Sequence, residues 1–250
     1  MSVNRPKNSK IRLDHLLVQR GLAESREKAK AMVMAGLVKV DGIQVDKPGR
    51  LIQISGSVVT KKISPSYASR GGIKLEAALK HFFVDVKDLT MLDVGASTGG
   101  FTDCLLQHGA CRVIAVDVGY GQLDWKLRQD PRVKVLERTN IRHLKPGDIE
   151  SVIDGAVIDV SFISLRLVVP PVSALLKRHA FIIALIKPQF EVGKGQVGKG
   201  GVVRDPTLHL QVIDRLSDFF KDLAWTVKGH FSSPLLGPKG NREFLIHLTR

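Results

Sequence analysis

A glycine-rich turn and the acids around it carry the first chemical signal in this chain. Residues 90–102 read T-M-L-D-V-G-A-S-T-G-G-F-T. Met91, Leu92 and Val94 suit a buried strand, and Gly95, Gly99 and Gly100 let the backbone turn sharply and approach a ligand closely. With Ser97 and Thr98 inside the turn, the chain becomes helical around Phe101, Leu105 and His108. Asp93 ends the first strand, and Asp117 closes the next apolar run, 112–116. Carboxylates at such strand ends accept hydrogen bonds from ribose hydroxyls in nucleotide sites. No phosphate-gripping signature accompanies them, neither a glycine loop ending in G-K-[ST] nor G-x-G-x-x-G. A phosphate-free nucleoside therefore fits best, and S-adenosylmethionine, with its cationic sulfonium, is the natural candidate. The bland alternative is an ordinary tight strand-to-helix turn.

Four further residues have types and positions that ask for an explanation. Lys74 follows S-R-G-G in the first turn of a helix whose apolar positions are Leu75, Ala78, Leu79 and Phe82, where a cation opposes the helix dipole. Asp159, in I-D-V-S-F, ends a strand on the same sheet edge as Gly95 and Asp117. Lys187, in I-K-P-Q-F, ends the next strand, and Pro188 forces the chain to leave the sheet. Glu243, in G-N-R-E-F, opens the final strand. For any one of these taken alone, a surface salt bridge is an adequate account.

The string L-D-V-G-A-S-T-G-G-F-T resembles the cofactor motif of the FtsJ-type methyltransferases, in particular the TlyA (hemolysin A) family of ribosomal RNA 2′-O-methyltransferases. The similarity runs from about Ile11 to Leu248. It implies S-adenosylmethionine as cofactor, with Asp93, Gly95, Ser97, Thr98, Gly99, Gly100, Phe101 and Asp117 around it. It also implies a K-D-K-E active centre, matched one by one by Lys74, Asp159, Lys187 and Glu243. Lys187 is then the group that orients, and helps to deprotonate, a ribose 2′-hydroxyl. Lys74 as a second cation favours its neutral amine, while Asp159 and Glu243 favour the charged form. Asn140, in E-R-T-N-I-R, becomes an adenine-side contact by family likeness, although loop capping explains it nearly as well. The expected target is a cytidine, again by family likeness alone.

The elements that must position these groups alternate regularly. Strands are predicted over 112–116, 133–136, 155–159, 181–186, 225–230 and 243–248, mostly separated by helical segments, which argues for a doubly wound α/β sheet. The resemblance adds a Rossmann-like class I methyltransferase domain with a seven-stranded sheet whose last strand is antiparallel. The loop 188–205 carries five glycines among Lys194, Lys199 and Arg204 and nearly spells a Walker loop. Gly200, however, replaces the hydroxyl residue such a loop needs for magnesium. A mobile basic loop that closes on RNA is the expectation.

Ahead of that domain lies a small α+β module. Leu13, Leu16 and Leu17 fall at helical spacing and Gly21 stops the helix. Ser25 can cap a second helix bearing Ala29, Met32 and Val33, which ends at Gly36. The turn Asp41-Gly42 then closes a hairpin in which Val38, Val40, Ile43 and Val45 share one face. The pattern R-L-D-H-L-L-V-Q-R-G-L-A, then S-R-x-K-A and G-L-V-K-V-D-G, resembles the S-four-type RNA-binding domain. That likeness assigns phosphate contacts to Arg12, Arg26, Lys28, Lys30 and Lys39. The expected division is a flexible arm at 1–10, the RNA-binding domain at 11–60, a linker at 61–69 broken by Ser-Pro-Ser, and the methyltransferase domain at 70–250. Lys61, Lys62 and Arg70 lie where RNA bound on either side would meet them.

Composition agrees with an anionic partner. The 250 residues hold 38 Lys+Arg against 24 Asp+Glu, a formal charge of +14. Residues 1–70 carry 14 basic and 5 acidic side chains, so +9 of that charge sits in the first part of the chain. Two cysteines, Cys104 and Cys111, without C-x-x-C or paired histidines, point to a reduced protein with no metal. The polar start lacks a signal-like apolar core, and the longest apolar run, 181–186, is far short of a membrane span. The expectation is a cytoplasmic protein acting on ribosomal RNA or ribosomal subunits without membrane or metal. The oligomeric state is not readable, and a monomer is the default.

Overall fold

A computed structural model of the protein describes residues 10–23, 25–34, 36–60, 67–149, 151–193 and 195–250. The chain divides into two compact units, 1–64 and 65–250.

In the first unit, strand β1 (Lys10–Arg12) leads into helices α1 (Leu13–Gln19) and α2 (Arg26–Met34). Strands β2 (Val38–Val40), β3 (Ile43–Gln44), β4 (Leu51–Gln53) and β5 (Val58–Thr60) follow. β1 pairs with β4, and β2 lies between β3 and β5, all antiparallel. Gly21 and Gly36 adopt φ of +67° and +71° just beyond the two helices, the left-handed geometry that ends a helix. Leu13, Leu16, Leu17, Ala29, Val33, Val38, Val40 and Val45 close the core. The Asp41-Gly42 turn sets Val40 opposite Ile43, but Ile43 is 65% exposed, because β3 is an edge strand of only two residues. Three of the four hairpin side chains expected on the apolar face are thus buried, and the fourth is not.

The second unit holds α3 (Gly71–Phe82), β6 (Thr90–Val94), α4 (Gly100–Gln107), β7 (Arg112–Val116), α5 (Trp125–Gln129) and β8 (Val133–Leu136). It continues with β9 (Ile153–Ile158), α6 (Leu165–Leu175), β10 (Leu176–Ile186), α7 (Pro206–Asp222), β11 (Thr226–Ser232) and β12 (Phe244–Thr249). The seven strands stand in the order β11-β12-β10-β9-β6-β7-β8. All contacts among β6 to β10 are parallel, and β12 runs antiparallel to both β10 and β11.

Alternate residues of each central strand bury opposite faces. Leu92, Ile158, Ile182 and Ile246 pack with Val168 and Val172 of α6 and Ile213, Leu216 and Phe220 of α7. Met91, Val113, Val157, Ile183 and Leu245 pack with Leu75 and Leu79 of α3, Phe101 and Leu105 of α4 and Leu127 of α5. Covering both faces is what lets parallel strands read as continuous apolar runs. The chain winds outward from β6 to β7 and β8, then returns to place β9 on the other side of β6. Connections diverge at that reversal and leave a crevice at the carboxyl ends of β6 and β9.

Tyr67 and Ala68 already belong to this unit. Tyr67 is 5% exposed and lies over Gly72, and the Ala68 N–H donates to Asp103 Oδ2 at 2.7 Å. The stretch read from sequence as linker therefore ends before Tyr67.

Candidate functional site

Two adjoining cavities of about 480 and 440 Å³ open at the switch point and share Gly95, Ser97, Asp159 and Ser161 in their walls. The 440 Å³ cavity is bounded by apolar side chains from the ends of β6, β7 and α6, with Asp117, Gln122 and Asn140 among its polar groups. Asp117 follows β7 directly; its Oδ2 accepts the Ser97 N–H at 2.8 Å and its Oδ1 the Gly119 N–H at 2.6 Å. Asn140 accepts the Arg142 N–H at 3.1 Å, so it caps a short 3-10 turn and also faces the cavity. Capping and a place on the cavity wall are not rivals at this position, which serves both.

The 480 Å³ cavity is bounded by Ser69, Arg70, Lys74, the turn 95–98, Gly100, Phe101, Asp159, Ser161, Lys187 and the segment 236–239. Gly100 and Phe101, at the start of α4, border this space, so the amino end of the helix lies against it. Gly95, at φ +84°, is forced by a neighbour: a Cβ there would stand 2.5 Å from the Asp159 carbonyl oxygen. Gly100 is held against Ser69 and the Gly72 N–H in the same way. These glycines approach the protein's own backbone, not only a ligand as the sequence pattern suggests. Gly99, at φ +93° beneath Leu123 and Leu127, lies behind the wall and borders neither cavity.

Asp93 also departs from expectation. It sits inside β6, fully buried, facing α4, where its Oδ2 accepts from Thr102 Oγ1 at 2.6 Å. It borders neither cavity. Burial pushes its carboxyl up to about 7, opposed by the Thr102 hydrogen bond and reinforced by Asp159 and Asp117. The period-two alternation of a strand turns residue 93 to the same face as Met91, one position short of the edge where a ligand could reach it.

Lys74, Asp159, Lys187 and Glu243 arrive from α3, the end of β9, the end of β10 and the start of β12. They form two pairs. Lys74 Nζ lies 2.5 Å from Glu243 Oε2, and Lys187 Nζ lies 2.6 Å from Asp159 Oδ1. Lys187 also donates to Ser161 Oγ at 2.8 Å. The Lys187–Asp159 contact is an ion pair without hydrogen-bond alignment, which leaves Asp159 Oδ1 a buried acceptor with no hydrogen-bond partner among the described residues, and Glu243, bonded to Lys74 through Oε2, leaves its Oε1 in the same state. The two lysines keep 12% and 11% side-chain exposure beside these acceptors.

The sequence pattern does not single out two residues of this wall, Ser161 and Gly237, nor Glu191, which braces the segments beside it. Ser161 stands inside the I-D-V-S-F string without a role assigned from sequence. Gly237 lies directly over Glu243, where any Cβ would collide with Oε1. Glu191, in P-Q-F-E, accepts from Ser164 Oγ at 2.6 Å and the Leu165 N–H at 2.8 Å, tying the segment after β10 to the start of α6. The loop expected to be mobile is anchored at its far end by Asn241, which is 2% exposed, accepts the Val203 N–H at 3.1 Å and donates to the Gly201 carbonyl at 2.9 Å.

Of the assigned phosphate contacts, Arg70 is exposed at the cavity mouth and Lys39 and Lys199 are exposed. Arg12 and Arg26 instead converge on Asp14, whose side chain is fully buried, at 2.9 and 3.4 Å, and Lys30 pairs with Glu27 at 2.8 Å. The Arg12 hydrogen bond holds the Asp14 carboxyl down at about 2. Each arginine remains about half exposed, so the pair presents two guanidiniums on one buried anion. Lys28 lies on α2, its side chain outside the description; Lys61, Lys62 and Lys194 lie outside the described residues.

A doubly wound sheet with an antiparallel strand between β10 and β11, and a nucleoside-sized crevice at its switch point, defines a class I methyltransferase architecture. The chain belongs to the FtsJ-like methyltransferase family, whose pattern matches residues 67–250, and an S4 domain matches residues 11–59. It is 53% identical to a Bacillus subtilis protein provisionally named rRNA methyltransferase YqxC, over 96% of this chain and 86% of that one. It is 47% identical to the 16S/23S rRNA (cytidine-2′-O)-methyltransferase TlyA of Mycobacterium tuberculosis, over 96% and 90%. A solved structure of a Streptococcus thermophilus protein, provisionally called a hemolysin, superposes with a TM-score of 0.76 at 46% identity, covering 98% of this chain and 90% of that one. Among the described residues no helix is long and apolar enough to cross a membrane, and no cluster of His, Cys, Asp and Glu is placed to hold a metal.

Proposed function

We propose that this chain transfers a methyl group from S-adenosylmethionine to the 2′-hydroxyl of a cytidine in ribosomal RNA, in the cytoplasm. The observation that carries the reading is two nearly buried lysines on the wall of a crevice that continues into a nucleoside-sized cavity, one paired with Asp159 on that wall and the other with Glu243 buried behind it. The residues fit the cofactor. Asp117 offers carboxylate lone pairs for ribose hydroxyls, the apolar ends of β6 and β7 and α6 flank an adenine-sized space, and the amino end of α4 suits an amino-acid carboxylate. When bound, S-adenosylmethionine supplies an electrophilic methyl on a sulfonium.

The protein's own part is orientation and proton handling. A ribose hydroxyl is a weak nucleophile, and holding it in line for attack is worth roughly 7–11 kcal/mol of barrier. Lys187, fixed by Asp159 and Ser161, is the group set to hold the hydroxyl oxygen, and once its ammonium has given a proton to solvent the neutral amine can receive the hydroxyl's proton. Lys74, fixed by Glu243, supplies a second positive charge to the developing alkoxide. Basic groups on the amino-terminal unit, with Arg70, would hold RNA by its phosphates and shape.

The test is Lys187→Ala assayed with labelled S-adenosylmethionine on separated small and large ribosomal subunits, followed by mapping of the modified nucleotide. Cofactor binding should persist while methyl transfer falls about 10²- to 10⁴-fold. Full activity in the variant would sink the assignment of Lys187. No label on either subunit from the unaltered protein, with RNA binding intact, would make the chain an RNA-binding assembly factor.

A further inference from the structure

A separate cavity, of about 340 Å³, lies at the opposite end of α3 from Lys74. It is enclosed by His81, Phe82, Phe83, Lys228, Gly229, His230 and His247. Three features mark it as built rather than left over. First, β11 is bulged here: Val227 pairs with Leu248 and Gly229 with His247, so Lys228 is the extra residue. Bulges re-aim side chains, and this one delivers a lysine to the cavity.

Second, Gly229, at φ +154°, stands directly opposite His247. A Cβ there would meet only Phe82 Cε1, at 3.7 Å, and the His247 ring forms part of the wall. His247 is 8% exposed, and its Nε2 has no hydrogen-bond partner among the described residues. Burial, with Lys228 adding to it, lowers its proton affinity, so the ring adds no positive charge to the wall.

Third, aromatic and basic groups alternate around the opening. Phe83 ends α3 in the left-handed conformation at φ +54° and is 94% exposed. His81 stacks on Phe231 with ring centroids 4.2 Å apart. Lys228 and His230 are exposed, and among the described residues no carboxylate borders the space. A flat, exposed apolar face beside a cation and a second basic side chain, with no acid nearby among the described residues, matches one chemical class: a base joined to a phosphate.

The geometry points to a second nucleotide-binding subsite at the Phe83–Lys228–His247 cavity, which takes an unpaired nucleotide of the RNA whose ribose is methylated at the other end of α3. Phe83 stacks on the base, Lys228 with His230 meets the phosphate, and the His247 ring forms part of the wall behind them. From Lys74 to Phe82 the helix advances about 12 Å, a span that a few nucleotides of unpaired strand cover. The inference rests on the proposed RNA substrate, so the experiment separates the two.

Phe83→Ala and Lys228→Ala alter exposed side chains and should leave the fold intact. Each is expected to raise KM for ribosomal RNA about tenfold, with kcat and KM for S-adenosylmethionine unchanged. Unchanged KM for RNA in both variants overturns the subsite. A direct arm needs no catalysis: the His247 imidazole resonances of the full chain are followed by NMR on adding cytidine 5′-monophosphate, cytidine or inorganic phosphate. The monophosphate should shift them, more than cytidine does, and Lys228→Ala should abolish the shift. Equal shifts with inorganic phosphate would mean an adventitious ion only. A monophosphate shift with unchanged KM for RNA would assign the cavity to a free nucleotide and overturn the RNA source. Absence of methyl transfer by the unaltered protein refutes the proposed function alone, because the resonance arm still decides whether the cavity binds a nucleotide.

Discussion

Asp93→Asn isolates the energetic consequence of burying a carboxylate in the middle of β6. The folded-state carboxyl titrates at about 7 against an ordinary 3.8. An acid raised in the folded state leaves stability intact below the unfolded value, erodes it as pH rises between the two, and adds no further loss above the folded value. At 1.36 kcal/mol per pH unit the full penalty is about 4 kcal/mol, of which about 2.5 kcal/mol develops between pH 5 and 8.5. Asparagine cannot ionise, so it removes that slope. Its amide can accept from Thr102, but the second half of the amide meets the position where Asp93 Oδ1 has no hydrogen-bond partner. The resulting cost of about 1–3 kcal/mol is independent of pH.

The informative quantity is therefore the change with pH in the stability difference between variant and unaltered protein. Other groups whose proton affinity burial shifts, His247 downward and Glu191 upward, are common to both proteins and cancel. Urea unfolding followed by tryptophan fluorescence reports the correct unit, because Trp125 and Trp225 both lie in the methyltransferase domain. The variant should gain about 2.5 kcal/mol relative to the unaltered protein from pH 5 to 8.5. Parallel curves across that range would refute the claim that Asp93 is held neutral by burial.

Two further substitutions test the geometry elsewhere. Gly237→Ala should drive a Cβ into Glu243 Oε1 and loosen the Lys74 pair, costing about 1–3 kcal/mol of stability and lowering kcat more than it changes KM for the cofactor; steady-state methyl transfer with wild-type values would show that Glu243 is not constrained there. Asp14→Ala removes the anion on which Arg12 and Arg26 converge, with a loss of about 2 kcal/mol in the amino-terminal unit and weaker RNA binding. Because the Arg12 hydrogen bond depresses the Asp14 carboxyl to about 2, this contribution is complete above about pH 4 and disappears as pH falls through about 2. Circular dichroism melts at pH 7 and pH 2 should therefore separate the variant from the unaltered protein only at the higher value.

The residue pattern by itself determined the alternation of strands and helices and the turn chemistry at Gly21, Gly36 and Gly95, because these depend on local apolar periodicity and on backbone conformations that side chains resist. It also brought Asp117 to a cavity wall, since a residue just past a parallel strand's carboxyl end has nowhere else to face. It misjudged Asp93 by one position, because whether an acid lies inside a strand or beyond it changes which face it meets, and strand boundaries are the least legible feature of a sequence. It treated Arg12 and Arg26 as independent phosphate contacts, although Asp14, between them in the chain, becomes their common buried partner once α1 and α2 pack. Only the tertiary structure decided that Lys187 pairs with Asp159 and that Lys74 pairs with Glu243, the latter across 169 positions of chain. The cavity around His247 was equally invisible, for it requires the end of α3, the bulge in β11 and the middle of β12 to meet, and no local pattern records which edge strand a helix will cover.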